Sequence, residues 1–584
     1  MIIVGIDLGT TNSVLALLGE GVPETIAIDG NKLLPSVVTY TQDKFIVGQV
    51  AKNMALLEPE NTIASVKRKM GQDVQLPIGG KKLRPEEVSA LILKKIKKVA
   101  IDHLQVDENE TIGAVITVPA YFTEVQRDAT KQAAELAGLQ VERIINEPTA
   151  AALSFGLSQM DEAMYAVYDF GGGTFDVSVI ESDEGVIEVL ASTGNNELGG
   201  DDLDDLLAEH IWRAFTAKND LGNIDPSAKE QARLIRVAEQ TKIKLSQEHE
   251  VEIQESFFYQ QAGVSYHIDQ SLSRSDFEGL IKEKVEETVY HLKKAINDAD
   301  VTEDELDGII LVGGSSRIPM ITSLIEERLG IIPTLIDLPD EAVAHGAAIQ
   351  AAIIQGKNID TVLIDITPHS LGIGVMDDIS YASSMSQFFG LNKKESADDI
   401  EKNLGAAAII PRNTAVPVRR SQKFSAVSRL QEAYQIQVYQ GEKSRFSENK
   451  IIGEVLFELE NPIEDGEIEV TFELDLNGLL KMSAEETTTK EQIKATFKSS
   501  RGKKIKKSVL DEAVLSNMDE AENTLLNRAN ALLEVETMNA EDKAELGDLV
   551  EAYKAKRMGG DEAGVKVVEN QLLDLLYYLE NDGN

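Results

Sequence analysis

Asp7-Leu8-Gly9-Thr10-Thr11 and Asp169-Phe170-Gly171-Gly172-Gly173-Thr174 decide how this chain is read. Each is an aspartate-and-glycine turn that ends on threonine, and each lies between two apolar segments. Residues 3–18 read as strand, turn, strand, and residues 166–180 repeat the pattern. A unit that recurs in this way predicts a duplicated α/β fold with a cleft between its halves. The composition of the turns suits phosphate. Glycines let the backbone approach, threonine hydroxyls donate to oxygens, and an aspartate favours a cation, usually through water. The Gly-x4-Gly-Lys-Ser/Thr pattern is missing, so the site is not of the Walker type. One such turn is more often structural than catalytic; two on matching strands reverse that preference. A third glycine turn, Gly313-Gly314-Ser315-Ser316-Arg317, joins a strand at 308–312 to a helix at 318–329. It reads as the place where backbone lies against the flat ring of a nucleoside, or as a plain strand-to-helix turn.

Working outward, residues 1 to about 355 alternate strand and helix signals. The texture changes at 358–368, and strands dominate from there to about 500. Ile468, Val470, Phe472, Leu474 and Leu476 alternate with polar residues, and Asn477-Gly478 turns the chain into 479–484, a hairpin with one buried face. Beyond 506 the period becomes helical. Leu510, Val514, Met518, Ala521 and Leu525 share one face, and Val565, Val568, Leu572, Leu575 and Leu579 another. Asn539 caps a helix that Gly559-Gly560 ends.

The chain has 584 residues, with 57 Lys and Arg against 99 Asp and Glu, a formal charge of −42. That length requires more than one domain. The charge argues against nucleic acid or an anionic membrane surface as partner. The absence of cysteine excludes disulfides, thiolate metal sites and thiol catalysis. No apolar run reaches bilayer length, and the chain enters its first strand with no secretory pattern before it, so the cytoplasm is the expected location.

The ordered series Asp7–Ser13, Val118-Pro119-Ala120-Tyr121-Phe122, 145–151, 169–176, Leu198-Gly199-Gly200, 311–319 and Asp340-Glu341-Ala342-Val343-Ala344 resembles the DnaK-type heat-shock protein 70 family of chaperones. The resemblance covers about 1–500 and is weaker over the helical end. It implies a multidomain protein: an actin-like α/β ATPase domain with duplicated halves at 1–357, a linker at 358–366, a β-sandwich peptide-binding domain at 367–503 and a helical lid at 504–584. It implies ATP and ADP as ligands with Mg2+, and unfolded polypeptides, a J-domain co-chaperone and a nucleotide exchange factor as partners.

At matching positions the resemblance implies that Lys67 lies near the γ-phosphate. Asp7, Asp169, Glu147 and Asp176 would hold magnesium and order the attacking water, the metal sitting on Asp7 and Asp169 through water. Thr10, Thr11 and Thr174 would bind phosphate beside Gly9, Asn12, Gly171, Gly172, Gly173, Gly199 and Gly200. Glu239, Lys242, Ser246, Gly313, Gly314, Ser315, Arg317 and Asp340 would form the adenosine pocket. Pro119, Arg127, Arg143 and Asn146 would couple the domains or meet the co-chaperone, with Leu363 and Asp365 in the linker. Ile373, Val375, Met376, Val427, Tyr434, Ile436 and Val438 would line the peptide pocket, although Ile436 and Val438 also fit plain core positions. The chain departs from the family in four places. Three aliphatic residues, not four, precede Asp365. Residues 377–408 are an insertion carrying Phe388 and Phe389. The stretch between Arg68 and Glu86 is short, and Asn195 replaces an aspartate. These departures and the short helical end resemble a specialised bacterial paralogue. A small-molecule kinase or an actin-like filament protein shares the ATPase fold but would leave the linker and β domain unexplained.

Overall fold

The computed structural model describes residues 1–156, 162–357, 361–376, 404–496, 518–535, 538–559 and 561–581, together with Ile359 and Leu515. The sequence-based expectations for Phe388, Phe389, Leu510 and Val514 fall outside them.

The duplication is plain in the sheets. In the first half the strand order is Gln140–Asn146, Ile112–Val118, Ile2–Asp7, Asn12–Leu18, Pro23–Ile26, the first three parallel and the last two antiparallel. The second half repeats it with Thr334–Leu335, Gly308–Val312, Ala163–Phe170, Phe175–Asp183 and Val186–Asn195. The parallel strands are buried on both faces, which is why 112–118 and 308–312 read as unbroken apolar runs. Helices Glu147–Phe155 and Ala342–Ile354 pack on each other between the sheets, in an apolar cluster that holds Ile3, Val115 and Ala150 with Val167, Ile310 and Ala347. Their alanine-rich surfaces let the two halves approach closely.

The second sheet does not stop at five strands. Val362–Thr367 adds in parallel to Val186–Asn195, and Thr414–Val416 adds antiparallel to Val362–Thr367. The segment expected as a linker is here a strand that carries the chain into the next domain. Val362–Ile364 pair with Val186–Glu188 and Asp365–Thr367 pair with Thr414–Val416, so each half of the strand has a backbone partner that a solvated tripeptide would lack.

That domain is a sandwich of two four-stranded sheets. One runs Gly405–Ile410, Leu371–Val375, Ala433–Gln440, Lys450–Glu458; the other Val418–Ser425, Glu467–Leu474, Leu480–Glu486, Gln492–Thr496. Residues 405–408, read from the sequence as insertion, belong to the first sheet. The hairpin forms as the alternation predicts, with Ile468, Val470, Phe472 and Leu474 buried and Gly478 at φ +72° in the turn. Leu476 lies past the strand and is exposed. Among the described residues three helices follow, Met518–Leu533, Ala540–Met558 and Glu562–Asn581. Asn539 caps the second, accepting from Asp542 N at 2.8 Å. Among the described residues no helix is long and apolar enough to cross a membrane.

Candidate functional site

The two glycine turns meet face to face at the bottom of the cleft. A Cβ on Gly172 would lie 1.8 Å from Thr11 Oγ1, and one on Gly173 would lie 2.2 Å from Thr10 Cγ2. Only glycine permits this approach, which lines both threonines and both runs of backbone N–H along one surface. The helix Gly200–Lys218 begins against the second turn: Gly200 N donates to Gly171 O at 3.0 Å and Asp201 N to Gly172 O at 2.7 Å. A helix N-terminus beside a glycine turn favours an anion. Asn12 stands at the start of its strand, paired with Pro35.

Behind the turns, the ends of four strands bring together an acidic cluster. Asp7 ends the first strand and accepts from Thr117 Oγ1 at 2.6 Å. Asp169 and Asp176 face each other across the 170–175 hairpin, and Asp176 accepts from Tyr121 N at 2.9 Å. Glu147 opens its helix and pairs with Lys67, which is only 4% exposed. Burial pushes the carboxyls of Asp7, Glu147 and Asp169 up, repulsion among them adds to this for Glu147 and Asp169, and Lys67 opposes it. The Asp176 carboxyl is raised to about 7 by burial first and Glu147 second. Thr174 is buried at the end of the second turn, where its carbonyl accepts from Gly171 N at 3.1 Å.

The third turn closes on the second. Ser315 Oγ donates to Gly171 O at 2.9 Å, and Gly313, at φ +81°, abuts the Phe170 carbonyl. Lys242 reaches Gly200 O at 3.0 Å and Asp204 at 2.6 Å, while Ser246 Oγ caps its helix on Lys242 O. Arg317 pairs with Asp340 at 2.8 Å beside Gly314. Glu239, on the same helix as Lys242, faces across the cleft to Lys52 at 2.6 Å. Residues that the sequence reading passed over complete the floor. Arg68 donates to Gly173 O at 2.9 Å and pairs with Asp202, and Asp201 accepts from Ser65 at 2.6 Å and Thr11 at 3.2 Å. Arg68 adjoins the expected Lys67, and the two aspartates follow Gly199-Gly200 directly. Asn195 donates to Glu287 at 2.7 Å.

The β-sandwich is docked on the first half. Asp365 is 7% exposed and accepts from Asn146 Nδ2 at 2.7 Å and Ile366 N at 2.8 Å. Arg127, 6% exposed, donates to Asn146 Oδ1 and to Ala120 O just past Pro119. Arg143 is half-buried, with Asp365 and Asp475 as its nearby charges. The hairpin tip rests here too: Ile144 N donates to Asn477 at 2.9 Å, and Leu480 N to Glu124 at 3.1 Å. Tyr121 and His369 rings lie 4.1 Å apart. Leu363 pairs with Ile187 and packs on the core shared by the two halves.

In the sandwich, Ile373, Tyr434, Ile436 and Val438 are core residues. Val375 and Met376 are half-buried, and Val427 is 54% exposed. The sequence profile of the Hsp70 protein family matches residues 3–78 and 72–576. A duplicated nucleotide fold, a strand running from it into a β-sandwich and a helical end, under a match of nearly the whole chain, establish that this protein belongs to the Hsp70 family of ATP-binding chaperones.

Proposed function

We propose that this chaperone hydrolyses ATP to drive cycles of capture and release of exposed apolar polypeptide segments. The observation that supports this best is the strand Val362–Thr367, which pairs with the sheet of the second half and with Thr414–Val416, the strand that runs directly into the sandwich strand Val418–Ser425. A change in the angle between the halves must then alter the docking of the sandwich. We take 1–357 as the ATPase unit, 358–366 as the coupling segment, 367–503 as the peptide-binding unit and 504–584 as the helical end.

The acidic cluster suits a magnesium nucleotide. Three buried carboxyls and the half-buried Asp7 face one buried lysine, an arrangement short of positive charge. No three acidic or histidine side chains among the described residues converge as direct ligands, which agrees with a cation held through water by Asp7 and Asp169. Magnesium bound there would neutralise phosphate charge as the terminal phosphoryl group departs. Lys67 would meet the γ-phosphate, Glu147 and Asp176 would order the attacking water, and Thr10, Thr11 and Thr174 would donate to phosphate oxygens. The turn at Gly313–Arg317, with Glu239, Lys242, Ser246 and Asp340, would receive the nucleoside.

On the sandwich, Met376, Val375 and Val427 offer apolar surface to an extended peptide, with Ile373, Tyr434 and Ile436 supporting them from the core. We assign the docked arrangement to the ATP-favoured, fast-exchanging state and an undocked one to ADP. What ATP does to peptide affinity, peptide must do to nucleotide affinity. Arg127, Arg143 and Asn146 lie at the junction a J-domain co-chaperone would have to sense, and an exchange factor would act on the cleft. The test is release of a fluorescent apolar peptide on adding ATP, with peptide-stimulated hydrolysis in parallel. Release on ATP supports the cycle; phosphoryl transfer to a sugar without peptide release would make the protein a kinase.

A further inference from the structure

The three C-terminal helices do not pack on one half of the nucleotide fold; they span both rims of its cleft. On the first rim, Met54, Leu56 and Leu57 share an apolar cluster with Leu525, Ala529 and Leu576. Arg528 pairs with Glu58 at 2.5 Å, and Asn53 donates to Glu569 at 2.8 Å. On the second rim, Asp574 pairs with Arg236 at 2.9 Å, and Tyr577 stacks on the Arg233 guanidinium at 4.5 Å. Tyr578 meets Phe257, their ring centroids 4.4 Å apart. Thus one helix, Glu562–Asn581, holds residues of both rims: Glu569 on the first, and Asp574, Tyr577 and Tyr578 on the second. The Lys52–Glu239 pair, 2.6 Å long, already closes the cleft between them. Asp574 joins a network in which Arg233, 1% exposed, and Arg236 both meet Glu255 at 2.9 Å. That is a built contact, with Asp574 set against the desolvated Arg233 and Glu255.

We propose that the C-terminal helix is a clamp across the mouth of the nucleotide cleft, so that nucleotide leaves only when the helix lets go of one rim. This rests on the nucleotide site described above. A ligand lodged between two halves escapes when the halves part, and a single rigid helix fixed to both opposes that parting. The helical end therefore sets the residence time of nucleotide directly, by a route separate from Val362–Thr367.

The test uses the full chain and a fluorescent ADP, with release followed by stopped flow. Asp574→Ala with Tyr578→Ala cuts only the second rim and leaves the apolar contact with the first. Release should quicken about tenfold, within the usual range of coupling between sites. The chain has no cysteine, so Phe257→Cys with Tyr578→Cys gives a unique thiol pair that a bifunctional methanethiosulfonate, which fills the space of the two lost rings, can bridge reversibly. Bridging should slow release about tenfold, and reduction should restore it. Release unchanged in both variants, with ADP bound normally, overturns the clamp and leaves the nucleotide site standing. Failure of the parent chain to bind ADP overturns both.

Discussion

Replacing Asp365 by alanine tests the coupling reading at its most buried charge. In the docked state this carboxylate is 7% exposed, lies in the field of Arg127 and Arg143, and accepts from Asn146 and Ile366 N. Its removal leaves Arg127, itself 6% exposed, without its largest compensating charge. A hydrogen bond to a buried charge is worth about 1.5–3 kcal/mol. Here both Asn146 Nδ2 and Ile366 N lose their acceptor, so the upper end, about 3 kcal/mol, is expected. Undocking lets water reach Arg127, so the loss falls on the docked state. At about 1.4 kcal/mol per factor of ten, the docked-to-undocked ratio should drop roughly 100-fold. Hydrogen exchange on the amides of Val362–Thr367 reads this ratio. With ATP the wild-type strand should be protected, and Asp365→Ala should lose about two decades of that protection. Asp365→Asn keeps an acceptor for Asn146 and should lose less. Full protection of the strand in Asp365→Ala would refute the argument that this charge holds the domains together.

Four further outcomes are expected. Lys67→Ala should retain ATP binding and lose about 100-fold or more in single-turnover hydrolysis, because a lone buried cation is removed where phosphate charge develops. Gly172→Ala should abolish nucleotide binding measured by calorimetry with the fold intact by circular dichroism, since the new methyl falls on Thr11 Oγ1. Leu363→Asp should leave basal hydrolysis and peptide binding in place but end ATP-driven peptide release, a carboxylate being costly where Leu363 packs. Docking should also depend on pH. The Glu124 carboxyl is raised to about 8 by burial, with Asp128 and Asp475 adding to it, so the docked state binds its proton more tightly and is favoured below that pH. Burial holds His369 at about 4, against its ordinary 6.5, which opposes docking only as pH falls below 6.5. From pH 6.5 to 8 the Glu124 effect opposes docking, and peptide release by ATP should weaken; Glu124→Gln should make that profile shallower, the Asp176 carboxyl at about 7 supplying what remains.

The turns at the floor of the cleft were legible because their parts are local. Asp7-Leu8-Gly9-Thr10-Thr11 and Gly171-Gly172-Gly173 owe their shape to residues within a few positions of each other, and so does the 313–317 turn. The cross-cleft pair Lys52–Glu239 and the Ser65–Asp201 bond join residues more than a hundred positions apart, and no local pattern signals them. In the sandwich, alternation marks buried positions without telling core from ligand pocket. Hence Ile373, Tyr434 and Ile436 turn out to be packed inside, while Val427 stays accessible. The apolar stripes of the C-terminal helices showed that something covers Leu572 and Leu575. They could not show that part of the cover is Leu56 and Leu57.

The added strand has a further consequence for the chain when the domains part. Docked, Val186–Asn195 is an interior strand; undocked, it becomes the border of an open sheet, with unpaired backbone groups facing solvent. Such borders recruit other extended chains. The border left by Val362–Thr367 is short, only Val186, Ile187 and Glu188 being paired with it, and Glu188 places a charge at its end. Three residues with one carboxylate offer little to a stranger and enough to the chain's own segment, tethered beside them. The proposed cycle would thus repeatedly open and reseal a sheet edge, and its brevity would keep that edge from pairing with the unfolded polypeptides the protein is proposed to hold.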